Sequence, residues 1–426
     1  MKVLVLGAAV SGRAALRLLE AEGHEVLVFD ADPAAVADLG GNRVARGGEW
    51  DPQMLSGVET VVASPGIPER AAPIGDALAA GIPVIGELEL AATRLAVPYA
   101  AVTGTNGKTT VTALAAEMLA ASGIRAAAVG NIGDPACDAV AGPWDVLVIE
   151  ASSFQLRFVD HFHPRAAVLL NVAPDHLDWH GTFEAYRDAK AMIYRRQGPG
   201  EVLVYDEDDP GAVEAVSGAG SRLLPVSGRR RARGGGPSRR QLWIGDLGCE
   251  LDSLGVSDPA FLCDIAAAGV VAFEMGASTD GVAEAAARFR PGRHRRQVVG
   301  TWDGVTWIDD SKATNPHAAL AAVRAYPSVV LIAGGRNKGL EVAPIAREAT
   351  VRHVIAMGEE GPAILAAAGE GTAAADMEEA VAVAVRVARP GDTVILAPGC
   401  ASFDMYGSYG ERGDHFTALV LERKGP

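Results

Sequence analysis

The side chains best suited to hold a phosphate group lie in residues 99–110, which read Tyr-Ala-Ala-Val-Thr-Gly-Thr-Asn-Gly-Lys-Thr-Thr. An apolar run breaks into a polar loop, and an alanine-rich segment at 111–119 follows. Between a strand and a helix, the backbone N–H groups of such a loop turn inward, the lysine neutralises phosphate charge, and the next hydroxyl can ligate Mg²⁺. This context favours an ATP site over an ordinary Gly/Asn turn. Its predicted members are Gly104, Thr105, Asn106, Gly107, Lys108, Thr109 and Thr110.

Two further apolar runs, at 145–150 and 166–171, have the continuous apolar character of buried parallel strands. Glu150 ends the first run, and His176 follows the second. Because the carboxyl ends of parallel strands share one edge of a sheet, we expect these side chains and Thr109 to form a Mg²⁺ shell beside the phosphate loop. A histidine alone would more often be structural, whereas a buried carboxylate without a partner is costly. Glu150 is therefore the stronger candidate ligand.

Lys190 shares a predicted helix face with three apolar side chains, Phe183, Tyr186 and Ile193. A lysine on such a face usually extends its amine to water. The alternative is a desolvated lysine whose amine is partly neutral, so that it acts chemically or becomes a modified metal ligand. The residues alone leave both interpretations open.

The N-terminal residues predict a βαβ unit with strands at 2–6 and 25–29. The loop 7–12 has a glycine at each end, and Asp30 closes the second strand, as in dinucleotide-binding folds. The middle glycine of that pattern is Ala9 here, and a side chain there obstructs the approach of a pyrophosphate. Binding of a nicotinamide dinucleotide is therefore disfavoured without being excluded.

A turn rich in backbone donors follows the next predicted strand, at 60–64, and reads Ser64-Pro65-Gly66. Turns at the carboxyl ends of strands are where α/β sheets bind ligands. A plain Pro-Gly turn fits the local pattern equally well. A helical segment at 86–95 then closes a first domain.

Another α/β domain is predicted from about residue 290, with strands near 306–308, 329–333, 353–356 and 393–397. Any one polar loop after these strands could be an ordinary surface loop. Three loops rich in lysine, hydroxyl and carboxylate groups together indicate one rim of a polar site. The loops are Asp309–Pro316, Gly334–Gly339 and Pro398–Asp404.

The composition suggests an enzyme rather than a nucleic-acid or membrane protein. The 426 residues are enough for about three domains, and the net charge of −15 argues against a nucleic-acid binder. The four cysteines form no C-x-x-C pair, the first residues read as a strand rather than a signal peptide, and the apolar runs are too short to span a membrane. We expect a soluble cytoplasmic protein, with the arginine-rich stretch 228–240 as a mobile solvated loop.

These motifs resemble the Mur ligase family, and most closely its D-glutamate-adding members. The phosphate loop is shared by the whole family and by folylpolyglutamate synthetases. Ser311–Asn315 and Cys400–Asp404 resemble the D-glutamate-adding members alone. The stretches that carry the resemblance are Thr103–Thr109, Gly130–Gly133, Glu150–Gln155, Asp175–Asp178, Ser311–Asn315, Gly334–Gly339 and Cys400–Asp404, with Arg412 and Gly413 after them.

The resemblance implies an α/β fold of three domains, each an open and mostly parallel sheet with flanking helices. Residues 1–95 would bind the UDP end of a substrate, 96–289 would form a P-loop-type ATPase domain, and 290–426 would bind an amino acid. The first and last domains would be Rossmann-like. The implied enzyme is an ATP-dependent ligase that adds D-glutamate to UDP-N-acetylmuramoyl-L-alanine through an acyl phosphate, in peptidoglycan synthesis. It would use ATP with two Mg²⁺ ions and act as a monomer.

Roles follow by position from the same resemblance. The catalytic residues would be Lys108, His176, Lys190 and Lys312. Lys190 matches the family lysine that becomes a carbamate and supports the second Mg²⁺. The metal ligands would be Thr109, Glu150, His176 and Lys190, and ATP would also contact His294, Arg295 and Asp310. The UDP-muramoyl substrate would contact Ser11, Ser64, Pro65, Gly66 and Asn131. The other substrate ligands would be Ser152 and Gln155 and, for D-glutamate, Lys312, Thr314, Lys338, Ser402, Phe403 and Tyr409.

Three rival interpretations remain: another amide ligase of the same fold, a nicotinamide-dependent dehydrogenase, and a non-catalytic UDP-sugar-binding regulator. Ser311–Asn315 speaks against the first. Ala9 and the second nucleotide loop speak against the dehydrogenase. The regulator is disfavoured by an intact set of reactive side chains, namely Lys108, Glu150, His176 and Lys190.

Overall fold

The first sheet is assembled from the N-terminal apolar runs. The computed structural model describes residues 1–39 and 44–423, and in this part of the chain five parallel strands pair in the order β3-β2-β1-β4-β5. The strands are β1 (Lys2–Leu6), β2 (Glu25–Asp30), β3 (Val44–Gly47), β4 (Thr60–Ala63) and β5 (Val84–Gly86). The helices are α1 (Val10–Ala21), α2 (Pro33–Val36), α3 (Ala72–Ala79) and α4 (Glu87–Ala92), with a 3₁₀ turn at Pro52–Leu55.

The second sheet has nine strands among the described residues, in the order β14-β13-β12-β11-β10-β9-β6-β8-β7. Its strands are β6 (Tyr99–Thr103), β7 (Ala126–Gly130), β8 (Val146–Glu150), β9 (Ala166–Leu169), β10 (Val202–Asp206), β11 (Arg222–Val226), β12 (Gly235–Ser238), β13 (Gln241–Ile244) and β14 (Leu247–Glu250). The pairing is parallel from β7 to β12 and antiparallel in the β12–β13–β14 meander.

The helices between residues 100 and 290 are short except for three. They are α5 (Lys108–Ala121), α6 (Ala136–Ala139), α7 (Ser153–Leu156), α8 (Leu177–His180), α9 (Phe183–Ala191), α10 (Pro210–Ala215), α11 (Leu251–Leu254), α12 (Pro259–Glu274) and α13 (Thr279–Arg288), with a 3₁₀ turn at Met192–Tyr194. The alanine-rich residues 265–288 are divided between α12 and α13.

The prediction of a mobile loop over 228–240 is wrong for the second half of the stretch. Residues 235–238 form β12, which pairs with β11 and β13. Gly235 is buried, and a Cβ there would lie 2.6 Å from the carbonyl oxygen of Trp243 and 3.1 Å from the Ala266 side chain. The glycines that resemble a low-complexity segment are therefore required for close packing of this strand.

The third sheet has six strands among the described residues, in the order β15-β16-β20-β17-β18-β19. All pairs are parallel except the β15–β16 hairpin. The strands are β15 (Gln297–Trp302), β16 (Val305–Asp309), β17 (Val329–Gly334), β18 (Val351–Met357), β19 (Gly371–Ala373) and β20 (Thr393–Leu396). The helices are α14 (Pro316–Val323), α15 (Ala343–Ala346), α16 (Gly361–Ala367), α17 (Met377–Val387) and α18 (Tyr409–Glu422).

Alternate residues of the third sheet face two separate cores. Leu331 and Ile395 lie in one core, and their neighbours Val330 and Val394 lie in the other. Both faces are thus covered by helices, as expected of parallel strands with continuous apolar sequence. The strands predicted in this region are confirmed as β16, β17, β18 and β20, and the open three-domain α/β fold class is confirmed.

By internal contacts the chain divides into two units. The first consists of Met1–Val172, Glu184–Ser257 and Phe261–Phe289, and the second of Ala173–Phe183, Asp258–Ala260 and Arg290–Pro426. The first and second sheets therefore belong to one unit, and the third sheet belongs to the other. Within the described ranges, none of the helices has the length and apolar character needed to cross a bilayer.

Candidate active site

The phosphate loop has the predicted strand–loop–helix context. It runs from the end of β6 to the start of α5, and Gly107 caps the helix with φ +86°. A Cβ on Gly107 would lie 2.7 Å from Asp264 Oδ1 and 2.9 Å from the Leu170 side chain. Any side chain here would be both strained and in collision, so glycine is required. The loop thereby keeps its N–H groups at the N-terminus of a 14-residue helix, where phosphate is favoured.

Asn171, just beyond the end of β9, holds the loop in shape. Its Oδ1 accepts from the backbone N–H of Asn106 at 2.7 Å, and its Nδ2 donates to the Asn106 carbonyl at 3.2 Å. The N–H of Thr105 donates to the Asn171 carbonyl at 2.8 Å. The loop is therefore preorganised by the neighbouring strand. Sequence reasoning did not single out Asn171, although a polar residue ending a buried strand is a usable signal.

Two lysine amines converge on the same loop. Nζ of Lys108 donates to the carbonyl of Gly104 at 2.8 Å and to that of Thr105 at 3.1 Å. Nζ of Lys190 donates to the same Gly104 carbonyl at 2.8 Å. The two amines therefore share one acceptor, the Gly104 carbonyl of the phosphate loop.

The Lys190 amine is buried rather than extended to water. Its residue on α9 is 1% exposed, and Nζ lies 4.5 Å from the centroid of the Tyr186 ring. The hydroxyl of Tyr186 is in turn 3.0 Å from Thr105 Oγ1 in the phosphate loop. Of the two interpretations that the sequence left open, the desolvated lysine is the one that matches this environment. Tyr186 was missed as a site residue, although it precedes Lys190 by one helical turn.

Glu150 has the environment of a cation ligand. It ends β8 with 2% exposure, and its Oε1 accepts from Asn131 Nδ2 at 2.8 Å. Its other oxygen, Oε2, is buried and has no hydrogen-bond partner among the described residues. A bound cation would satisfy that oxygen. Among the described residues, no group of three or more His, Cys, Asp or Glu side chains is placed to hold a metal ion, so the fit is to a metal that also takes phosphate oxygens, as Mg²⁺ does.

Ser152 and Gln155 bond to each other at the start of α7. The Ser152 N–H donates to Gln155 Oε1 at 2.9 Å, and the Gln155 N–H donates to Ser152 Oγ at 3.2 Å. This is a capping box. The structure therefore gives these two predicted substrate ligands a local structural role.

Four of the five predicted UDP-binding residues lie at the carboxyl end of the first sheet, whereas the fifth, Asn131, follows β7 in the second sheet. Ser64 is buried, and its hydroxyl donates to the Gly7 carbonyl at 3.2 Å. Ser11 and Pro65 are half-buried, and Gly66 is exposed, with open space where a Cβ would point. Ser64 thus shapes the glycine loop, while the other three leave surface for a ligand.

In the second unit, Asp175 and His176 lie next to residues of the third-sheet domain. Asp175 is buried, and its carboxylate accepts from Lys338 Nζ at 3.2 Å and from Asn315 Nδ2 at 3.2 Å. Burial raises the pKa of Asp175, but the charges of His176 and Lys338 outweigh it, and the net pKa is lowered. His176 adopts φ +55° at the N-cap of α8. Lys338, predicted for D-glutamate, is thereby paired with a carboxylate.

His294, Arg295 and Asp310, predicted for ATP, lie close to one another in the second unit. Nδ1 of His294 is 2.7 Å from Asp309 Oδ2, and the N–H of Arg296 donates to Asp310 Oδ1 at 3.0 Å. Burial raises the pKa of Asp310 to about 7, against the opposing charge of Arg296. The side chain of Arg295 is half-buried.

The loops predicted to receive D-glutamate present both cationic and apolar groups. Nζ of Lys312 lies 3.7 Å from the centroid of the Tyr409 ring, a cation–π contact. Thr314 is half-buried and Ser402 is 2% exposed, whereas the next residue, Phe403, is 64% exposed.

Three family models together match most of the chain. The Mur ligase MurD-like N-terminal domain matches residues 1–86, the Mur ligase middle domain 102–235, and the Mur ligase glutamate ligase domain 294–400. The resemblance inferred from the motifs is confirmed.

Similar proteins include UDP-N-acetylmuramoylalanine–D-glutamate ligases from several bacteria. The chain is 42% identical to that of Frankia casuarinae, covering 100% of this chain and 95% of the relative. It is 40% identical to that of Pelotomaculum thermopropionicum, covering 99% and 98%.

Solved structures share the fold at low identity. A pseudomurein peptide ligase type C from Methanothermus fervidus aligns with a TM-score of 0.62 at 16% identity, covering 100% of both chains. MurF from Acinetobacter baumannii aligns with a TM-score of 0.62 at 18% identity, covering 86% of this chain and 85% of that one.

Proposed function

Because the chain belongs to the Mur ligase family, we propose that it is the ligase that joins D-glutamate to UDP-N-acetylmuramoyl-L-alanine, with ATP consumed, in peptidoglycan precursor synthesis. Relatives of that name match nearly the full chain at 42% and 40% identity. The structural observation that carries the proposal is the convergence of the Lys108 and Lys190 amines on the Gly104 carbonyl. A loop of backbone donors with the Lys108 amine suits the terminal phosphates of ATP, and Lys190 lies next to it.

The chemistry requires activation of the acceptor carboxylate, since a free carboxylate has no leaving group. An oxygen of the L-alanine carboxylate attacks the γ-phosphorus of ATP, and the bond to ADP breaks. The amine nitrogen of D-glutamate then attacks the acyl carbon, loses a proton and displaces phosphate. Lys108 stabilises the charge on the transferring phosphoryl group.

Mg²⁺ fits the residues that surround the loop. Thr109 and Glu150 would hold it, since Glu150 Oε2 is buried without a hydrogen-bond partner among the described residues, and His176 is a further ligand by family resemblance. When bound, Mg²⁺ neutralises charge on the phosphate oxygens. Lys190 is proposed to form a carbamate with CO₂, releasing a proton, and to support a second Mg²⁺.

The remaining assignments follow the domain order, with 1–95 for the UDP substrate, 96–289 for ATP and 290–426 for D-glutamate. Lys312 and Phe403 are accessible to an amino acid, and their domain supplies cations for its two carboxylates. We propose a cytoplasmic monomer that binds these small molecules and neither nucleic acid nor membrane.

Phosphate release from ATP tests the proposal, with purified UDP-N-acetylmuramoyl-L-alanine and one amino acid at a time. We expect release with D-glutamate and not with L-glutamate, lysine or diaminopimelate. Turnover with a different amino acid would keep the ligase reaction and overturn the substrate. No turnover with any amino acid would favour a non-catalytic binding protein.

A further inference from the structure

A buried arginine in the second unit has no part in the function proposed above. Arg412 lies in the first turn of α18 and is 2% exposed. Its Nε donates to Ser311 Oγ at 3.0 Å, and its Nη2 donates to the carbonyls of Ser311 at 3.0 Å and Cys400 at 3.2 Å. All three acceptors are neutral oxygens. A buried guanidinium usually has a carboxylate bonded to it, so this arrangement needs an explanation.

The remaining nitrogen, Nη1, is buried and forms no hydrogen bond to any residue that the structure describes. It lies against Gly335, where a Cβ would be 3.2 Å from it. Gly335 has φ +132°, and the same Cβ would be 2.3 Å from the Ala401 carbonyl. In the loop after β17, the backbone of Gly335 therefore lies directly against the Arg412 guanidinium, with no side chain between them.

The contacts of Arg412 lead directly to the predicted acceptor loops. Ser311 Oγ, which accepts from Arg412, donates to the carbonyl of Tyr409 at 2.8 Å. The ring of Tyr409 holds the Lys312 amine at 3.7 Å. Cys400, the other acceptor, precedes Ser402 by two residues. The Arg412 guanidinium thus connects α18 with the segments at Ser311 and Cys400.

We propose that Arg412 is a positioning residue for the acceptor amino acid, holding the Ser311–Thr314 and Cys400–Ser402 loops in register and placing a buried positive charge behind them. Burial lowers the pKa of Arg412 to about 10, so the charge persists at neutral pH. A fixed cation without a bonded carboxylate favours an acceptor that carries two carboxylates. The inference depends on the proposed function only for the identity of that acceptor.

The test compares Arg412→Lys and Arg412→Gln with the unchanged protein, by measuring KM for each substrate and kcat. We expect Arg412→Lys to raise KM for D-glutamate about tenfold and Arg412→Gln to raise it further, with KM for ATP within about twofold. Ser311→Ala removes the hydroxyl that joins Arg412 Nε to the Tyr409 carbonyl, but it leaves the two bonds from Nη2, and it should raise the same KM by a smaller factor. Arg352→Lys is the matched control, because Arg352 in β18 bonds to Asp392 instead.

Parallel increases in all three KM values, or unchanged KM for D-glutamate in folded Arg412→Lys, would overturn the positioning role. If the Arg412 variants do not fold, Ser311→Ala tests the positioning role. A raised KM for D-glutamate in this variant would support the role, and an unchanged KM would overturn it. The unchanged protein separates the two proposals: if it turns over another amino acid, the substrate is wrong and the same comparison is made with that amino acid. If it turns over none, calorimetric binding of D-glutamate to the same variants decides the role of Arg412.

Discussion

Two strand–glycine loop–helix units occur in this chain, and they differ in the cation that follows the last glycine. In the first, Gly12 precedes Arg13, whose guanidinium bonds to the Asp38 carboxylate at 2.7 Å. In the second, Gly107 precedes Lys108, whose amine donates to the loop carbonyls of Gly104 and Thr105. The Arg13 guanidinium thus joins its loop to the segment after α2, whereas the Lys108 amine lies on the loop that we propose to bind phosphate.

The last glycine of each loop, Gly12 or Gly107, is required for a different reason. A Cβ on Gly12 would lie 1.8 Å from the carbonyl of Gly7, so this glycine allows α1 to pack on the preceding loop. At Gly107 the obstruction comes from Asp264 and Leu170, which belong to other elements. A glycine pattern therefore predicts that another part of the chain or a ligand comes close to the loop backbone, and the neighbouring charges decide which of the two it is.

The largest expected difference is between Lys108→Ala and Arg13→Ala. Lys108→Ala should lower kcat by about 10²–10³ or more, because charge on the transferring phosphoryl group loses its stabilising cation. Arg13→Ala should leave kcat within a few-fold and lower the free energy of unfolding, since it removes a partly exposed ion pair with Asp38 and hydrogen bonds to the Ala8 and Ala35 carbonyls. Phosphate release measures kcat, and urea denaturation measures the free energy of unfolding. Equal losses of activity would remove the distinction between the loops.

Lys190→Ala tests the second loop further, because the Lys190 amine donates to the Gly104 carbonyl of that loop. We expect loss of activity with folding retained, partly restored by added acetate or formate if the carbamate proposal is right. Arg187→Ala, on the same helix but bonded to Asp188 and Glu214, is the control and should stay active. Full activity of Lys190→Ala would contradict the assigned role.

The glycine pair separates binding from stability. Gly107→Ala should weaken ADP binding at least tenfold in calorimetry, since positive φ and the Asp264 contact distort the phosphate cradle. Gly12→Ala should instead destabilise the protein by about 1–3 kcal/mol, because Gly7 must shift. A Gly12→Ala variant with normal stability and weakened ADP binding would reverse these assignments.

The smallest effect is a pH dependence of stability that arises at the carboxyl end of β10, a central strand of the second sheet. Burial raises the pKa of Asp206, at the end of β10, to about 7, and the charges of Asp208 and Asp209 add to it. The folded state therefore holds a proton that the unfolded chain has lost, and this stability declines as pH rises from about 4 to 7. Asp206→Asn should be more stable relative to the unchanged protein at pH 8 than at pH 5, by about 1–2 kcal/mol in urea denaturation. No change in this difference with pH would contradict the raised pKa.

The central strands could be predicted from the sequence because each is an apolar run bounded by turn residues. β1, β2, β8 and β17 are examples. Among the strands that were missed, six lie at sheet edges, where partial exposure removes the continuous apolar signal: β3, β5, β7, β14, β15 and β19. The interior strands β11 and β13 were missed as well. β12 was missed for another reason, since its glycines are demanded by neighbours that only the folded chain supplies.

The site divides along the same line. The sequence by itself determined the phosphate loop, the carboxylate of Glu150 at a strand end and the family, because each depends on residues adjacent in the chain. Only the tertiary structure decided that Lys190 shares an acceptor with Lys108, that Asn171 braces the loop and that Arg412 links distant segments. The physical reason is that these contacts join residues tens to hundreds of positions apart, and their distances depend on how strands and helices pack rather than on local sequence.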